Sequence, residues 1–366
     1  MCLKTPLYDV HVAMGAKMAP FGGWDMPIQY TSIVEEHTAC RTKAALFDIC
    51  HMGEFFVYGP NALNDLNKLF TCELSTLAIG RCRYGFLLNE QGGTQDDLIT
   101  YRLSDEKFMV VVNAGTREND AKWISAHLSP DTKFDEASSQ VAKLDLQGPA
   151  SAEALQPICE YDLQQMKYYT FVETKVLGKR AIVSRTGYTG EYGFEIYIDV
   201  EMCKPVWDAL LATGVPVPAG LGARDTLRLE CGLPLYGHEM NDTMSPVASG
   251  LTFAIAKDKE FYIGKDVVEK ELAEGTPRKL VGLQLTTKQS GRNGQNVMSG
   301  DKIVGTVTSG SLAPSLGYAI AFAYVDKDYC EIGTKLAIDN GRKLLEAEVV
   351  PTPFYKEGTA RKKTTA

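Results

Sequence analysis

The sequence has no C-x-x-C pair: its nine cysteines, at positions 2, 40, 50, 72, 82, 159, 203, 231 and 330, are scattered and odd in number. That excludes a zinc knuckle and a complete disulfide framework, and points to a reducing compartment. The five histidines, at 11, 37, 51, 127 and 238, form no H-E-x-x-H, so metal-ligand spacing is absent and no metal is expected. No stretch approaches the roughly 18 uninterrupted apolar residues of a membrane helix. Lys4, Asp9, His11 and Lys17 interrupt the apolar start, which excludes a cleavable secretory signal. Long runs of one charge are also missing, apart from Arg361-Lys362-Lys363, and the 38 basic residues are outnumbered by 46 acidic ones. A net charge of -8 makes nucleic acid an improbable partner, and no membrane partner is expected.

Nucleotide motifs are missing as well. Gly220-Leu221-Gly222 opens a helical pattern, but Asp225 stands where the third glycine of a dinucleotide fingerprint belongs, and no G-x-x-x-x-G-K-[ST] occurs.

What is present, in 366 residues of ordinary globular composition, is length enough for two or three domains. The opening segment reads as a short amphipathic helix over 7–17, a glycine-rich aromatic loop over 21–27 and a second helix over 33–44. From Glu54 to Ile124 the pattern is strand, helix with Pro60 at its first turn, several strands, then a helix over 117–127. A second α+β alternation follows, with strands near 141–146, 168–176, 180–185 and 194–198 and helices over 149–158 and 201–212. After Lys279, short strands at 280–285, 302–308, 317–325, 335–338 and 344–350 predict a small all-β domain, a barrel or sandwich, reached through a helix over 264–272. The polar residues from Gly358 onward are expected to fray.

One acidic pair stands out. Gly92-Gly93-Thr94-Gln95-Asp96-Asp97-Leu98 sets two carboxylates at the start of a strand just after a turn, and alternation sends them to opposite faces. One of them facing a cavity would handle a proton or a cation; the alternative is a turn cap and a solvated acid.

At this point the chain resembles the aminomethyltransferases (T-proteins) of the glycine cleavage system. The resemblance rests on Thr5-Pro6-Leu7-Tyr8, Phe21-Gly22-Gly23-Trp24-Asp25-Met26-Pro27, Phe47-Asp48-Ile49-Cys50-His51-Met52-Gly53-Glu54 and the Gly92 to Leu98 segment. It continues through Val112-Asn113-Ala114, Gln147-Gly148-Pro149, Arg185-Thr186-Gly187-Tyr188-Thr189-Gly190-Glu191, Gly220-Leu221-Gly222-Ala223-Arg224-Asp225, Leu235-Tyr236-Gly237, Thr308-Ser309-Gly310 and Pro314-Ser315-Leu316-Gly317. The resemblance implies an α+β protein of three domains in a cloverleaf around a central folate channel. The expected division is a discontinuous first α+β domain (1–52 and 138–275), a second (53–137), a barrel-like β domain (279–357) and a flexible tail (358–366).

It also implies a reaction: transfer of the one-carbon unit of an aminomethyl group, carried on the lipoyl arm of an H-protein, to tetrahydrofolate. The products would be 5,10-methylenetetrahydrofolate, ammonia and dihydrolipoyl H-protein. By correspondence with the family, Asp97 is the acid of the chemistry and Asp96 its structural neighbour. Glu195 takes the pterin, and a carboxylate suits two parallel N–H donors. Alternation alone would instead set Glu195 with Tyr197 and Asp199 on the face opposite Phe194, Ile196 and Ile198, as a surface acid. Arg224 is the implied folate contact; by spacing alone, Arg224 and Arg228 lie four apart on one helical face, and the alternative is that either pairs with a nearby Glu or Asp. Met52, Tyr84, Tyr101, Asn113, Tyr168 and Tyr188 match folate-lining positions; aromatic faces suit a flat pterin, and an amide offers donor and acceptor together. The usual C-terminal basic contact corresponds to Lys356 or Arg361.

The chain departs from the family pattern at Cys50, where Ser is usual, at Gln95, where an aliphatic residue is usual, and at Phe253, where Trp is common. The runner-up reading is a folate-dependent demethylase of the same fold. A non-catalytic maturation factor for iron-sulfur proteins is disfavoured, because Leu233-Pro234-Leu235-Tyr236-Gly237-His238-Glu239 lacks that group's cysteine motif. The family sequence begins at the first residues, so a bacterial cytoplasm is the expected location, with a mitochondrial matrix as the alternative for a processed chain.

Overall fold

The computed structural model describes residues 2–362. Its first element is the helix Tyr8–Ala13, shorter than its apolar pattern, because the chain turns at Gly15 (φ +76°) into the strand Lys17–Phe21. The glycine-rich segment expected as a loop is the tip of a hairpin, Lys17–Phe21 against Trp24–Gln29, with Phe21 paired to Trp24. Gly22 and Gly23 have φ of +55° and +86°, the two positive values a two-residue hairpin turn demands. The helix Ile33–Thr42 then starts where Ser32 Oγ accepts the backbone N–H of Glu35 at 3.2 Å.

Two sheets carry most of the chain up to residue 218. One has the strand order Phe171–Val176, Lys179–Ser184, Gly193–Asp199, Val141–Gln147, Ala45–Asp48, Val217–Pro218. The other, five-stranded, has the order Cys82–Leu88, Thr94–Ser104, Lys107–Val112, Gly53–Tyr58, Lys133–Glu136. Because Ala45–Asp48 pairs directly with Val141–Gln147, the whole second sheet is built from chain inserted between two neighbouring strands of the first. Each sheet has its own apolar core, one around Leu46, Leu144, Phe194 and Trp207, the other around Phe55, Leu66, Leu98 and Val110.

The helix Leu221–Glu230 packs on the opening hairpin and on the helix Ile33–Thr42, and the two glycines at its start permit those contacts. A Cβ on Gly220 would lie 2.3 Å from the Ile28 carbonyl group, and one on Gly222 would lie 2.7 Å from the Ile33 side chain. This close approach, rather than a phosphate cradle, accounts for the Gly-Leu-Gly motif.

The C-terminal strands close into a six-stranded barrel, in the order Arg278–Leu285, Ala319–Asp326, Lys302–Leu312, Asn296–Ser299, Lys335–Asp339, Leu344–Val350. Alternation gives it an interior of Val281, Leu283, Val307, Ala321, Ala323, Ile338 and Val349, small residues facing branched ones. The strand Asn296–Ser299, absent from the sequence reading, is four residues long and lies among glycines.

The tail does not fray where expected. Thr359 donates its backbone N–H to Glu191 at 3.1 Å, the Ala360 N–H reaches the Gly190 carbonyl at 3.0 Å, and Arg185 holds the Ala360 carbonyl at 2.9 Å. Residues 363–366, also assigned to the flexible tail, lie outside the described residues. Among the described residues no helix is long and apolar enough to cross a membrane.

Candidate active site

Asp97 sits near the start of the strand Thr94–Ser104, half-buried. Tyr84, on the adjoining strand, donates its hydroxyl to Asp97 Oδ2 at 3.0 Å, and the Asn113 side-chain N–H reaches Oδ1 at 2.8 Å. Burial pushes the Asp97 carboxyl up to about 6, and these two hydrogen bonds oppose that rise by favouring the ionised form. The group is therefore ionised at neutral pH yet close enough to its midpoint to take up a proton.

Asp96 is fully buried, and its two oxygens accept from Asn113, from the backbone N–H at 2.9 Å and from the side-chain amide at 2.8 Å. Burial, then the neighbouring Asp120 and Asp97, push the Asp96 carboxyl well above its usual range. Alternation was expected to separate the two aspartates, yet both converge on one amide nitrogen. Asn113 thus commits its donors to Asp96 and Asp97, leaving its carbonyl oxygen as an available acceptor.

A second group lies on the larger sheet. Glu195 pairs across the strands with Asp145, and Tyr197 with Lys143. Lys143 Nζ is 2.9 Å from Glu195 Oε1, and Arg224 Nη1 is 2.5 Å from Asp145 Oδ2. Thr186 donates its hydroxyl to Glu195 Oε2 at 2.5 Å, and Tyr101 approaches the same oxygen at 3.4 Å. Burial works to raise the Glu195 carboxyl, but Lys143, Thr186 and Arg224 outweigh it and hold the group below the ordinary glutamate range. Asp145 goes the other way, to about 6, because burial outweighs the attraction of Arg224.

The surface-acid reading of Glu195 fails because the strand Gly193–Asp199 is covered on both faces, with only Asp199 exposed. Tyr101 has no exposed surface at all: its hydroxyl lies 2.9 Å from that of Tyr197 and it braces Glu195 from behind. The remaining candidates, Met52, Tyr168, Tyr188 and Arg224, are half-buried.

Tyr188 contacts the second group and feels the charge of the first. The Arg224 guanidinium stands 4.9 Å from the centre of its ring, and its hydroxyl donates to the Pro234 carbonyl. Burial raises its phenol, and the charges of both Asp97 and Arg224 act on it. Tyr168 stands edge-on to Tyr169 with centroids 4.9 Å apart, and burial raises its phenol against the charge of Arg361. Of the two C-terminal basic candidates, Arg361 is the one placed to act on that ring. Met52 Sδ lies 3.5 Å from Lys143 Nζ.

Arg228 is fully spent on structure: it bonds Asp225 at 2.8 Å, Glu239 at 2.9 Å and Ser309 at 2.7 Å, tying its helix to the barrel. Of the departures, Cys50 is buried with its sulfur 3.7 Å from Cys203, and Gln95 donates to the Leu88 carbonyl at 3.1 Å. Phe253 stacks on Tyr84 with centroids 6.0 Å apart while remaining 77% exposed. Two surface cavities of about 590 and 850 Å³ are lined by none of the nine candidate residues.

Sequence reasoning missed Lys143 and Asp145. The signal was their placement two apart in Val141–Gln147, which puts a cation and an anion on one face of a strand in the middle of a sheet.

Comparison with known proteins gives two family matches: the GCVT N-terminal domain over residues 7–259, and the glycine cleavage T-protein C-terminal barrel domain over residues 278–356. A protein named aminomethyltransferase from Geobacillus kaustophilus is 44% identical over 361 residues, covering 97% of this chain and 99% of that one. Another of that name, from Halalkalibacterium halodurans, is 42% identical over 359 residues, covering 97% and 98%. The crystal structure of glycine cleavage system aminomethyltransferase T from Bartonella henselae superposes with a TM-score of 0.93 at 32% identity, covering 98% of this chain and 99% of that one.

Proposed function

The chain belongs to the glycine cleavage T-protein family of aminomethyltransferases, and on that premise we propose that it moves the one-carbon unit of a lipoyl-bound aminomethyl group from an H-protein to tetrahydrofolate. In this reaction the carbon gains bonds to the N5 and N10 amines of the folate and loses its bonds to sulfur and to nitrogen. The two amine protons pass to the departing thiolate and the departing ammonia. The products are 5,10-methylenetetrahydrofolate, ammonium and the dihydrolipoyl carrier.

The observation that carries this reading is the setting of Asp97. A carboxylate held by Tyr84 and Asn113, with burial placing its midpoint at about 6, serves both needs of the step. Ionised, it faces the cationic one-carbon unit; on taking a proton it relieves the attacking amine. Glu195 accepts the paired N–H donors of the pterin, since Lys143 and Thr186 keep it ionised in a buried place. Arg224, fixed by Asp145 and lying over Tyr188, supplies the cation at the same end. Met52, Tyr168, Tyr188 and the Asn113 carbonyl line the ligand, with Arg361 the basic contact, and Tyr101 acts through Glu195. The family setting supports a cytoplasmic enzyme of glycine catabolism.

The test supplies aminomethylated H-protein and tetrahydrofolate together. Ammonia and methylenetetrahydrofolate appear in equal amounts, and omission of either substrate brings the rate to background. Formation of 5-methyltetrahydrofolate from a small methyl donor would instead make the protein a demethylase.

A further inference from the structure

Lys143 is 1% exposed, and its ammonium group meets three things: Glu195 Oε1 at 2.9 Å, Met52 Sδ at 3.5 Å and the face of the Tyr197 ring at 5.2 Å. A lysine is seldom buried this fully without a partner that requires it. Close by, Glu54 is also 1% exposed, and its Oε1 has no hydrogen-bond partner. Burial pushes the Glu54 carboxyl up to about 8 against the charge of Lys143, so that it is mostly protonated at neutral pH, and the Lys143 ammonium makes its direct contact with Glu195. The other cation of the cluster, Arg224, is committed to Asp145 at 2.5 Å.

We propose that Lys143 is a positioning residue for folate recognition: its ammonium aims and neutralises the Glu195 carboxylate so that it meets the pterin as an anion. The proposal rests on the reading of Glu195 as the pterin acceptor. Without Lys143, Glu195 would keep only neutral hydrogen-bond donors, Thr186 and Tyr101, and the charge of Arg224, itself bonded to Asp145, while facing Asp145 across the strands with Tyr197 and Glu54 nearby. A buried carboxylate in that setting binds a proton, and a protonated Glu195 offers the pterin a hydroxyl in place of one acceptor oxygen.

The sign of the pH effect follows. Asp97, Asp145 and Glu54 titrate between about pH 5 and 9, so the wild-type profile is the baseline, and Glu195 itself stays ionised throughout it. In Lys143→Met, the loss of binding relative to wild type is greatest at pH 6 and shrinks toward pH 8.5 as Glu195 loses its proton. The probe is 5-formyltetrahydrofolate, with Kd measured by calorimetry at both pH values for wild type, Lys143→Met, Lys143→Arg, Glu195→Gln and the double variant Lys143→Met with Glu195→Gln.

Lys143→Met should bind roughly tenfold more weakly at pH 6, the scale of one charged hydrogen bond, and regain most of that loss at pH 8.5. Lys143→Arg should restore most of the affinity, and the double variant should match Glu195→Gln at both pH values. Weak binding by Glu195→Gln together with wild-type binding by Lys143→Met at both pH values overturns the role of Lys143 and leaves Glu195 in place. Wild-type binding by Glu195→Gln overturns the pterin reading and this proposal with it. Should Lys143→Met fail to fold, the Glu195 carboxyl ¹³C shift in the wild type decides: titration below the ordinary glutamate range supports the role, and titration at or above that range contradicts it.

Discussion

Tyr84 and Asp97 are joined across neighbouring strands by a 3.0 Å hydrogen bond in which the phenol donates and the carboxylate accepts. The bond has a direction in energy as well as in space. It favours the ionised carboxylate, whereas burial favours the neutral one, and the balance leaves the midpoint at about 6.

The rate of transfer should therefore fall on acidification with a midpoint near pH 6, since protonated Asp97 can neither accept a proton nor face a cation. Tyr84→Phe removes a contact that lowers the pKa, so the acid limb of the pH–rate profile should move to higher pH. Stopped-flow rates between pH 5 and 9 check this. A limb that stays in place, or moves to lower pH, contradicts the assignment.

The proposed reaction uses the sulfur of the carrier and none of this chain's own thiols. Cys40, Cys50, Cys72, Cys82, Cys159 and Cys203 are buried, while Cys2, Cys231 and Cys330 are partly accessible. Alkylation of the folded protein should label those three and leave turnover largely intact. Abolition of turnover on labelling one of them, reproduced by its Ser variant in a folded protein, would revive a covalent mechanism.

Glu54 predicts a pH dependence of stability. Its carboxyl lies at about 8 in the folded chain against 4.5 for the free group, so the folded state holds its proton more tightly than the unfolded state. The stability this confers is fully present below pH 4.5 and is lost as pH rises through 8. Glu54→Gln cannot ionise, so relative to wild type it should be more stable at pH 8.5 than at pH 5. Thermal unfolding at the two pH values checks the sign, and equal differences would contradict it.

Much of this was legible in the sequence because it depends on periodicity and on local signals. The barrel strands alternate cleanly, and the Gly-Gly turn and the acidic pair after it are adjacent in the chain. The opening hairpin was misread because Trp24, Asp25, Met26 and Pro27 show no polar alternation: both faces of that strand are partly covered, one by the helix Leu221–Glu230. The pairing of Lys143 with Glu195, 52 residues apart, is set by strand register alone, and no local pattern carries it. Glu195 itself was marked by the family resemblance, while its strand pattern suggested a surface acid. Anchoring of the tail at Thr359 depends on Glu191, far away in the chain, and a polar composition gave no sign of it.

The central claim is that Asp97 accepts the amine proton. It is tested most directly by ammonia release from aminomethylated H-protein and tetrahydrofolate, compared among wild type, Asp97→Asn and Asp96→Asn, with folate affinity measured alongside. Asp97→Asn should lose roughly 100-fold or more in turnover, the scale of a positioned acid–base group, while still binding folate. Asp96→Asn, which keeps an acceptor oxygen for Asn113, should lose far less. Wild-type turnover in Asp97→Asn, or an equally large loss in a folded Asp96→Asn, would contradict the account.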